Sequence, residues 1–425
     1  MERTVHIACV GLGARGGYHT IFMASMEGVH IDVVCDLYED RVKSTADAIE
    51  KNQGYRPAET TNFDDVLAME SVEAVMILTG WEAHIPLAIK TMKAGKWVAL
   101  EVGGAYSVQQ CWDLVHVSEE TGIPVTILEN CCYGKRELMI ANMAKRGVLG
   151  RIVHCEGGYC HDLRMSLTDG VKRRSYRLRN YLNVNSHNYP THDFGPIAKI
   201  IGINRGNRPL SLVSMASASF GMEDYVDRFR PDDTNLRGRD FAQGDVVTTL
   251  IKCAGGESIT LTLDTSLPRY YSRRFTVQGT RGMYEGNSDS IFIDGISDHE
   301  GSPAGNARNA KDFEKYLSPM WRPENADNVK GGHGGMDGFC CADYFDHLAR
   351  GDKNLTFDVY DTATWMCITA LSAESLALGS APVAFPDFTN GAWILREPID
   401  CDDFTQPIPE DEAEAPADGE KPAEA

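Results

Sequence analysis

The chain opens with an apolar run, Val5–Val10, that stops at Gly11, and from Gly16 the apolar positions recur with helical spacing. This alternation repeats. Further apolar runs at 29–35, 74–78, 97–100 and 125–128 are interleaved with helix-period stretches at 39–51, 84–94 and 107–121. Short apolar strands with single helices between them predict βαβ units, hence a doubly wound α/β domain on a parallel sheet.

The pattern changes after Asn130. A helix is expected over 136–145, then strands at 152–159, 212–219, 246–253, 258–265, 274–279 and 290–294, with helices near 193–201, 338–349 and 360–378. Strands that follow strands predict an α+β second domain with an open, mainly antiparallel sheet. Residues 301–328 read as loop. The divisions drawn are 1–130, 131–400 and an acidic disordered tail over 401–425, because 406–425 is Pro, Ala and acid without an aromatic residue.

With 425 residues, 43% of them hydrophobic, the chain can fill two domains of ordinary size. Lys and Arg number 41 against 61 Asp and Glu, a net charge of −20 that repels nucleic-acid backbones. No run of eighteen apolar residues suggests a membrane helix, and the N-terminus lacks the features of a signal peptide. A cytoplasmic protein is expected. Twelve cysteines are too few for a disulfide scaffold, so reduced, buried thiols are expected. The stretch His154-Cys155 to Cys160-His161 matches no common zinc spacing, and strand alternation would split its side chains between two faces, so no metal is assigned.

Gly11-x-Gly13-x-x-Gly16 joins the first strand to the first helix, and Asp36 follows at the end of the next strand. Glycine is common here, at 40 residues, so the spacing alone says little; its strand–turn–helix context says more. Gly11 permits the tight turn, Gly13 lets a pyrophosphate approach the backbone, and Gly16 lets helix and strand pack closely. The N–H groups at the helix start hold the phosphates. Asp36 would accept hydrogen bonds from the adenosine ribose and repel a 2′-phosphate, which predicts NAD rather than NADP unless Arg15 or Arg41 swings in.

Together, Gly11-Leu12-Gly13-Ala14-Arg15-Gly16-Gly17, Thr79-Gly80-Trp81-Glu82-Ala83-His84 and Glu101-Val102 resemble the Gfo/Idh/MocA oxidoreductase family. That family joins a Rossmann domain to an α/β domain whose open sheet carries the substrate. Its usual Glu-Lys-Pro is Glu101-Val102-Gly103 here, so the lysine-based dehydrogenase mechanism does not transfer. Glu129-Asn130-Cys131-Cys132-Tyr133-Gly134, Tyr189-Pro190-Thr191-His192, Tyr271-Ser272-Arg273 and Gly332-His333-Gly334-Gly335-Met336-Asp337 are similar to glycoside hydrolase family 109. This NAD-dependent branch includes enzymes acting on α-N-acetylgalactosaminides. The resemblance implies cofactor contacts at Ala14, Arg15, Asp36, Trp81, Glu82, Ala83, His84, Glu101, Val102 and Asn130, beside the three glycines. It implies sugar contacts at Tyr159, Arg177, Tyr189, Pro190, Thr191, His192 and Tyr271.

Residue type leaves alternatives open. Tyr189 and His192 share a face if a helix begins there, with Pro190 in its first turn, and form either an acid–base pair or a core tyrosine beside a hydrogen-bonded histidine. Tyr159 and Tyr271 suit a sugar face or plain packing, and Arg177 lies in a basic run, 172–179, that equally suits a solvated face. The implied reaction is redox-assisted: oxidation at C3 acidifies the C2 proton, the aglycone leaves C1 by elimination, water adds, and reduction regenerates NAD. His192 and Tyr189 are the candidates for proton transfer, with Glu101 near the nicotinamide ribose. A net sugar 3-dehydrogenase and a non-catalytic NAD-bound sensor are the alternatives. The expected partners are a small carbohydrate or glycoside and, by resemblance, further copies of the chain. Asp193-Phe194 replaces the family's Gly-Leu beside His192, which is expected to alter that histidine, the pocket, and acceptance of an N-acetyl group.

Overall fold

The computed structural model describes residues 3–302 and 305–409. Six strands, β1 (Val5–Val10), β2 (Val29–Cys35), β3 (Ala58–Thr60), β4 (Ala74–Ile77), β5 (Trp97–Leu100) and β6 (Val125–Ile127), form a wholly parallel sheet. Their order is β3-β2-β1-β4-β5-β6. Helices α1 (Ala14–Ala24), α2 (Glu39–Gln53), α3 (Phe63–Ala68), α4 (Trp81–Lys93) and α5 (Val108–Thr121) make the crossovers. β4 is buried throughout, as a strand covered on both faces must be. The helix limits follow local chemistry: Ser107 caps α5 by accepting from the Gln110 N–H, and Gly122, in the left-handed region, ends it. The strand order reverses between β1 and β4, and such reversals leave a ligand crevice at the carboxyl ends of the strands. β3 and α3 have no counterpart in the sequence reading. β3 is a short, largely exposed edge strand, made a strand by pairing with β2 rather than by any apolar period.

The second sheet contains β7 (Ile152–Cys160), β8 (Pro209–Ala216), β9 (Val246–Cys253), β10 (Ser258–Asp264), β11 (Thr276–Gly279), β12 (Gly282–Glu285), β13 (Ser290–Ile293) and β14 (Val383–Ala384). The order is β13-β12-β11-β7-β10-β9-β8-β14, with β7 and β10 parallel and the other neighbours antiparallel. The remaining α-helices are α6 (Lys135–Lys145), α7 (Arg164–Thr168), α8 (Gly170–Arg173), α9 (Tyr176–Asn183), α10 (Thr191–Ile200), α11 (Gly221–Phe229), α12 (Met336–Arg350) and α13 (Val359–Ala377). α7 to α9 are only four to eight residues long, too short for a legible period. α13 starts at a capping box on Asp358 and is buried over most of its length. It packs against α5 and β6 on one side and β8 and α10 on the other.

The segment expected to begin the tail is packed instead. Cys401 and Phe404 are buried, and Asp402 accepts from the Met320 N–H at 2.9 Å and from the Ser318 hydroxyl. Two apolar anchors outweigh the acidic composition there. The rest of that stretch, 410–425, lies outside the described residues. No helix among the described residues is long and apolar enough to cross a membrane.

Candidate active site

The turn after β1 is built as the glycine spacing requires. Gly11 has φ +94°, and a Cβ there would stand 2.6 Å from the Thr79 nitrogen. A Cβ on Gly16 would fall 1.9 Å from the Gly11 carbonyl oxygen. Gly13 differs: its nearest neighbour would be Arg41 Nη1 at 3.8 Å, so its missing side chain leaves open space at the start of α1. No side chain caps that helix start, so its N–H groups are available to an anion. Asp36, at the end of β2, accepts from the Leu12 N–H at 2.6 Å and the Tyr38 N–H at 3.0 Å, with Arg41 3.7 Å away. This open, uncapped cradle with a carboxylate at its rim fits the phosphates and ribose of a dinucleotide.

Residues predicted to contact the cofactor converge farther along the crevice on a carboxylate that sequence reading passed over. Asp337, buried at the start of α12, accepts from Arg15 Nη1 at 2.7 Å, Arg15 Nη2 at 2.9 Å and Asn130 Nδ2 at 2.6 Å. Arg15 Nε also donates to Glu101 at 2.6 Å, and the other oxygen of Glu101 accepts from the Val102 N–H at 2.7 Å. His333, on the preceding glycine-rich loop, places Nδ1 3.0 Å from Asp337 while its ring stays half exposed. Burial would raise the Asp337 pKa, but His333 and Arg15 hold it well below the usual carboxylate range. Glu101 is likewise lowered against burial, chiefly by Arg15. Asn130 Oδ1 and Trp81 Nε1 are buried without a hydrogen-bond partner among the described residues, a further opening for a polar ligand. His84 is placed differently: fully buried, it sets Nε2 3.1 Å from the Thr79 carbonyl, and burial pushes its pKa down to about 4. It braces the Thr79-Gly80 turn. Glu82 pairs with Arg179, and the Ala83 N–H closes that turn on the Gly80 carbonyl at 3.0 Å.

Trp81 links this crevice to a second group of side chains. Its ring lies 5.7 Å from that of Tyr189, and the Arg177 guanidinium sits 5.5 Å from Trp81 and 4.9 Å from Tyr189. Tyr159 stands 4.3 Å from Tyr189, and His161 continues the wall to Tyr271, which is half exposed. Pro190 caps α10, and Thr191, its first residue, is fully buried. The Tyr189 hydroxyl is 3.5 Å from His192 Nε2, and His192 Nδ1 is 2.7 Å from Glu129 Oε1. Glu129 is wholly buried, and the same oxygen accepts from the Cys131 N–H at 3.0 Å.

These contacts set the electrostatics. Burial alone would depress the His192 imidazole, but Cys131, Glu129 and Tyr189 raise its pKa well above the ordinary value. Burial pushes the Tyr189 phenol well up, with His192 and Arg177 opposing. Glu129, Cys131 and His192 are close enough to hold a metal ion. However, the Arg273 guanidinium interacts with the Cys131 thiol, and a second cation beside it would be repelled.

One sequence expectation changes. Asp193 does not face the pocket: its Oδ2 lies 2.8 Å from His187 Nε2, both side chains being fully buried, and Phe194 is in the core. Alternate faces of α10 explain this, so the replacement of Gly-Leu alters the packing beneath His192 rather than the cavity beside it. Glu101 is engaged on both oxygens, by Arg15 and by the Val102 N–H. Glu129 and Asp337 were missed because neither belongs to a spacing pattern; their adjacency to Asn130 and to the glycine-rich loop were the signals available.

Crevice and cradle point to an NAD-binding enzyme of the oxidoreductase type. Residues 5–128 match the family model of oxidoreductases with an NAD-binding Rossmann fold, and residues 133–395 match that of the glycosyl hydrolase 109 C-terminal domain. The chain belongs to glycosyl hydrolase family 109. It is 36% identical to an alpha-N-acetylgalactosaminidase of Tannerella forsythia, over 92% of this chain and 87% of that one. A family 109 protein of Parabacteroides distasonis is also 36% identical, over 92% and 88%. Among solved structures, levoglucosan dehydrogenase in complex with NADH and L-sorbose superposes with a TM-score of 0.67 at 16% identity, covering 91% of this chain and 100% of that one. Myo-inositol dehydrogenase of Lactobacillus casei gives 0.61 at 12% identity, over 90% and 97%. At such identities the structural likeness concerns the fold.

Proposed function

We propose that the protein hydrolyses glycosides of a 2-acetamido sugar through transient oxidation at C3, elimination across C1 and C2, hydration and re-reduction. The observation carrying this reading is the Glu129–His192–Tyr189 chain, set against Trp81 where the cofactor crevice meets the aromatic wall. Bound NAD supplies a reversible two-electron acceptor for the sugar. Glu129 accepts the Nδ1–H of His192 and so directs Nε2 at Tyr189. A cationic His192 and the guanidinium of Arg177 oppose the rise that burial imposes on the Tyr189 phenol, and its oxygen, as phenolate, is the group we assign to take the C3 hydroxyl proton. Glu101 orients Arg15 and moves no proton. The buried Val102, standing where relatives of the dehydrogenase type carry lysine, argues against net oxidation. The Tannerella relative makes an α-N-acetylgalactosaminide the first substrate to try, and the inward-facing Asp193 and Phe194 leave room for it.

The test is a panel of nitrophenyl glycosides offered to the purified protein with substoichiometric NAD. Nitrophenol release without accumulating absorbance at 340 nm is expected. Stoichiometric NADH without nitrophenol would reject hydrolysis in favour of a dehydrogenase. Two further features support finer readings. All twelve cysteines are free and buried, as suits the reducing cytoplasm. Met215 and Leu250 stand exposed on β8 and β9, where a second copy of the chain would cover them; light scattering reads that assembly directly.

A further inference from the structure

A separate group of side chains lies at the other end of the parallel sheet. His6 and His30 are the second residues of β1 and β2 and stand directly opposite each other in the register. Asp32, two positions on from His30, points to the same face. His6 Nδ1 is 2.7 Å from Asp32 Oδ1, and His30 Nε2 is 3.8 Å from the same oxygen. The two rings are half exposed, whereas the carboxylate is 8% exposed. Tyr55 stacks on His30 at 4.2 Å and fixes the plane of its ring. Five residues of strand, about 16 Å, separate this group from Gly11 and the cofactor crevice.

We propose that His6, His30 and Asp32 form a binding site for a divalent cation of the zinc class. Two imidazoles and a carboxylate are a donor set that zinc accepts, with water completing the shell. Their ligand atoms all lie within 4.8 Å of one another. A tetrahedral ion with bonds of about 2.0–2.2 Å needs ligand atoms about 3.4 Å apart. The His6–Asp32 pair at 2.7 Å must therefore open, the His30–Asp32 pair at 3.8 Å must close, and the two imidazole nitrogens, within 4.8 Å, must reach the same spacing through side-chain torsions. The nearby Glu73 does not compete, because its carboxylate accepts from the His6 N–H at 2.9 Å and pairs with Arg3 at 2.7 Å. In the metal-free chain, His6 Nδ1–H donates to Asp32, so an ion bound at Nδ1 shifts that proton to Nε2 of the same ring, which faces solvent, with no net proton lost. The bound ion ties β1 to β2 and stabilises the folded chain by mass action.

The test uses the untagged, NAD-loaded full chain, stripped with EDTA and titrated with ZnCl2 by calorimetry, alongside the His6→Gln/His30→Gln double variant. The wild type is expected to take up one more ion per chain than the double variant at sub-millimolar zinc, with a raised Tm. The double variant loses that ion and the Tm response while keeping its glycosidase turnover. Cu2+ bound at the same place shows two nitrogen ligands by electron paramagnetic resonance. Equal uptake by both proteins, no uptake by the wild type, or a sulfur-ligated copper signal pointing to Cys131 each overturns the assignment.

Discussion

Replacing Glu129 by glutamine probes the proton relay with little change in shape. The side chain keeps its size, and an amide oxygen can still accept from His192 Nδ1; only the charge is lost. That charge is wholly buried and 2.7 Å from the imidazole nitrogen. Two unit charges with centres about 4 Å apart interact by about 4 kcal/mol at an effective dielectric constant of 20. The imidazolium therefore loses most of the support it draws from Glu129, and kcat should fall about 10³-fold. The sign of the pH effect follows. His192 has a raised pKa, so the competent, protonated form persists as pH rises until that pKa is passed. Without the carboxylate the pKa drops, and the alkaline limb of kcat/KM moves to lower pH. The assay is release of nitrophenol across a pH series, with NAD saturation checked by fluorescence and Glu129→Asp as the conservative control. A Glu129→Gln enzyme within twofold of wild type, or a slow one with an unmoved alkaline limb, would refute the reasoning and leave Glu129 a structural residue.

The two glycines of the cradle should separate binding from folding. Gly13→Ala fits an ordinary extended backbone, φ −64° and ψ −172°, so Tm should hold while NAD affinity drops about tenfold or more. Gly16→Ala, with its Cβ 1.9 Å from the Gly11 oxygen, should lower stability by about 1–3 kcal/mol and reduce soluble yield. Asp337→Asn removes one of the two carboxylates paired with Arg15, a side chain one-third exposed that keeps Glu101, at about 1–2 kcal/mol near neutral pH. A depressed carboxylate pKa confers stability above the unfolded value and loses it as pH falls through the folded one. The Tm gap between Asp337→Asn and wild type should therefore narrow below about pH 4, as thermal melts in a pH series will show.

What could be read from the chain beforehand was whatever repeats or keeps a fixed spacing. The strand–turn–helix around Gly11, Gly13 and Gly16, the carboxylate of Asp36, and the buried strands β1, β2 and β5 all have such a signature. Tyr189 and His192 were visible for the same reason, being three residues apart at a helix start. Glu129 and Asp337 were not, because their importance lies in partners 63 and 322 positions away, His192 and Arg15. Asp193 shows the converse. Its position beside His192 suggested influence on the pocket, whereas the turn of α10 sends it to His187 in the core. Contact across long sequence separations is a property of packing, and no local period announces it.

The burial of α13 bears on how the molecule comes apart. One rod of nineteen residues serves both sheets as a common spine, touching α5 and β6 as well as β8 and α10. Neither half can melt without stripping water-free surface from the other, so heating should yield a single endotherm rather than two. A dinucleotide captured above Gly13 would then shield distant strands such as β8 from hydrogen exchange, although it touches none of them.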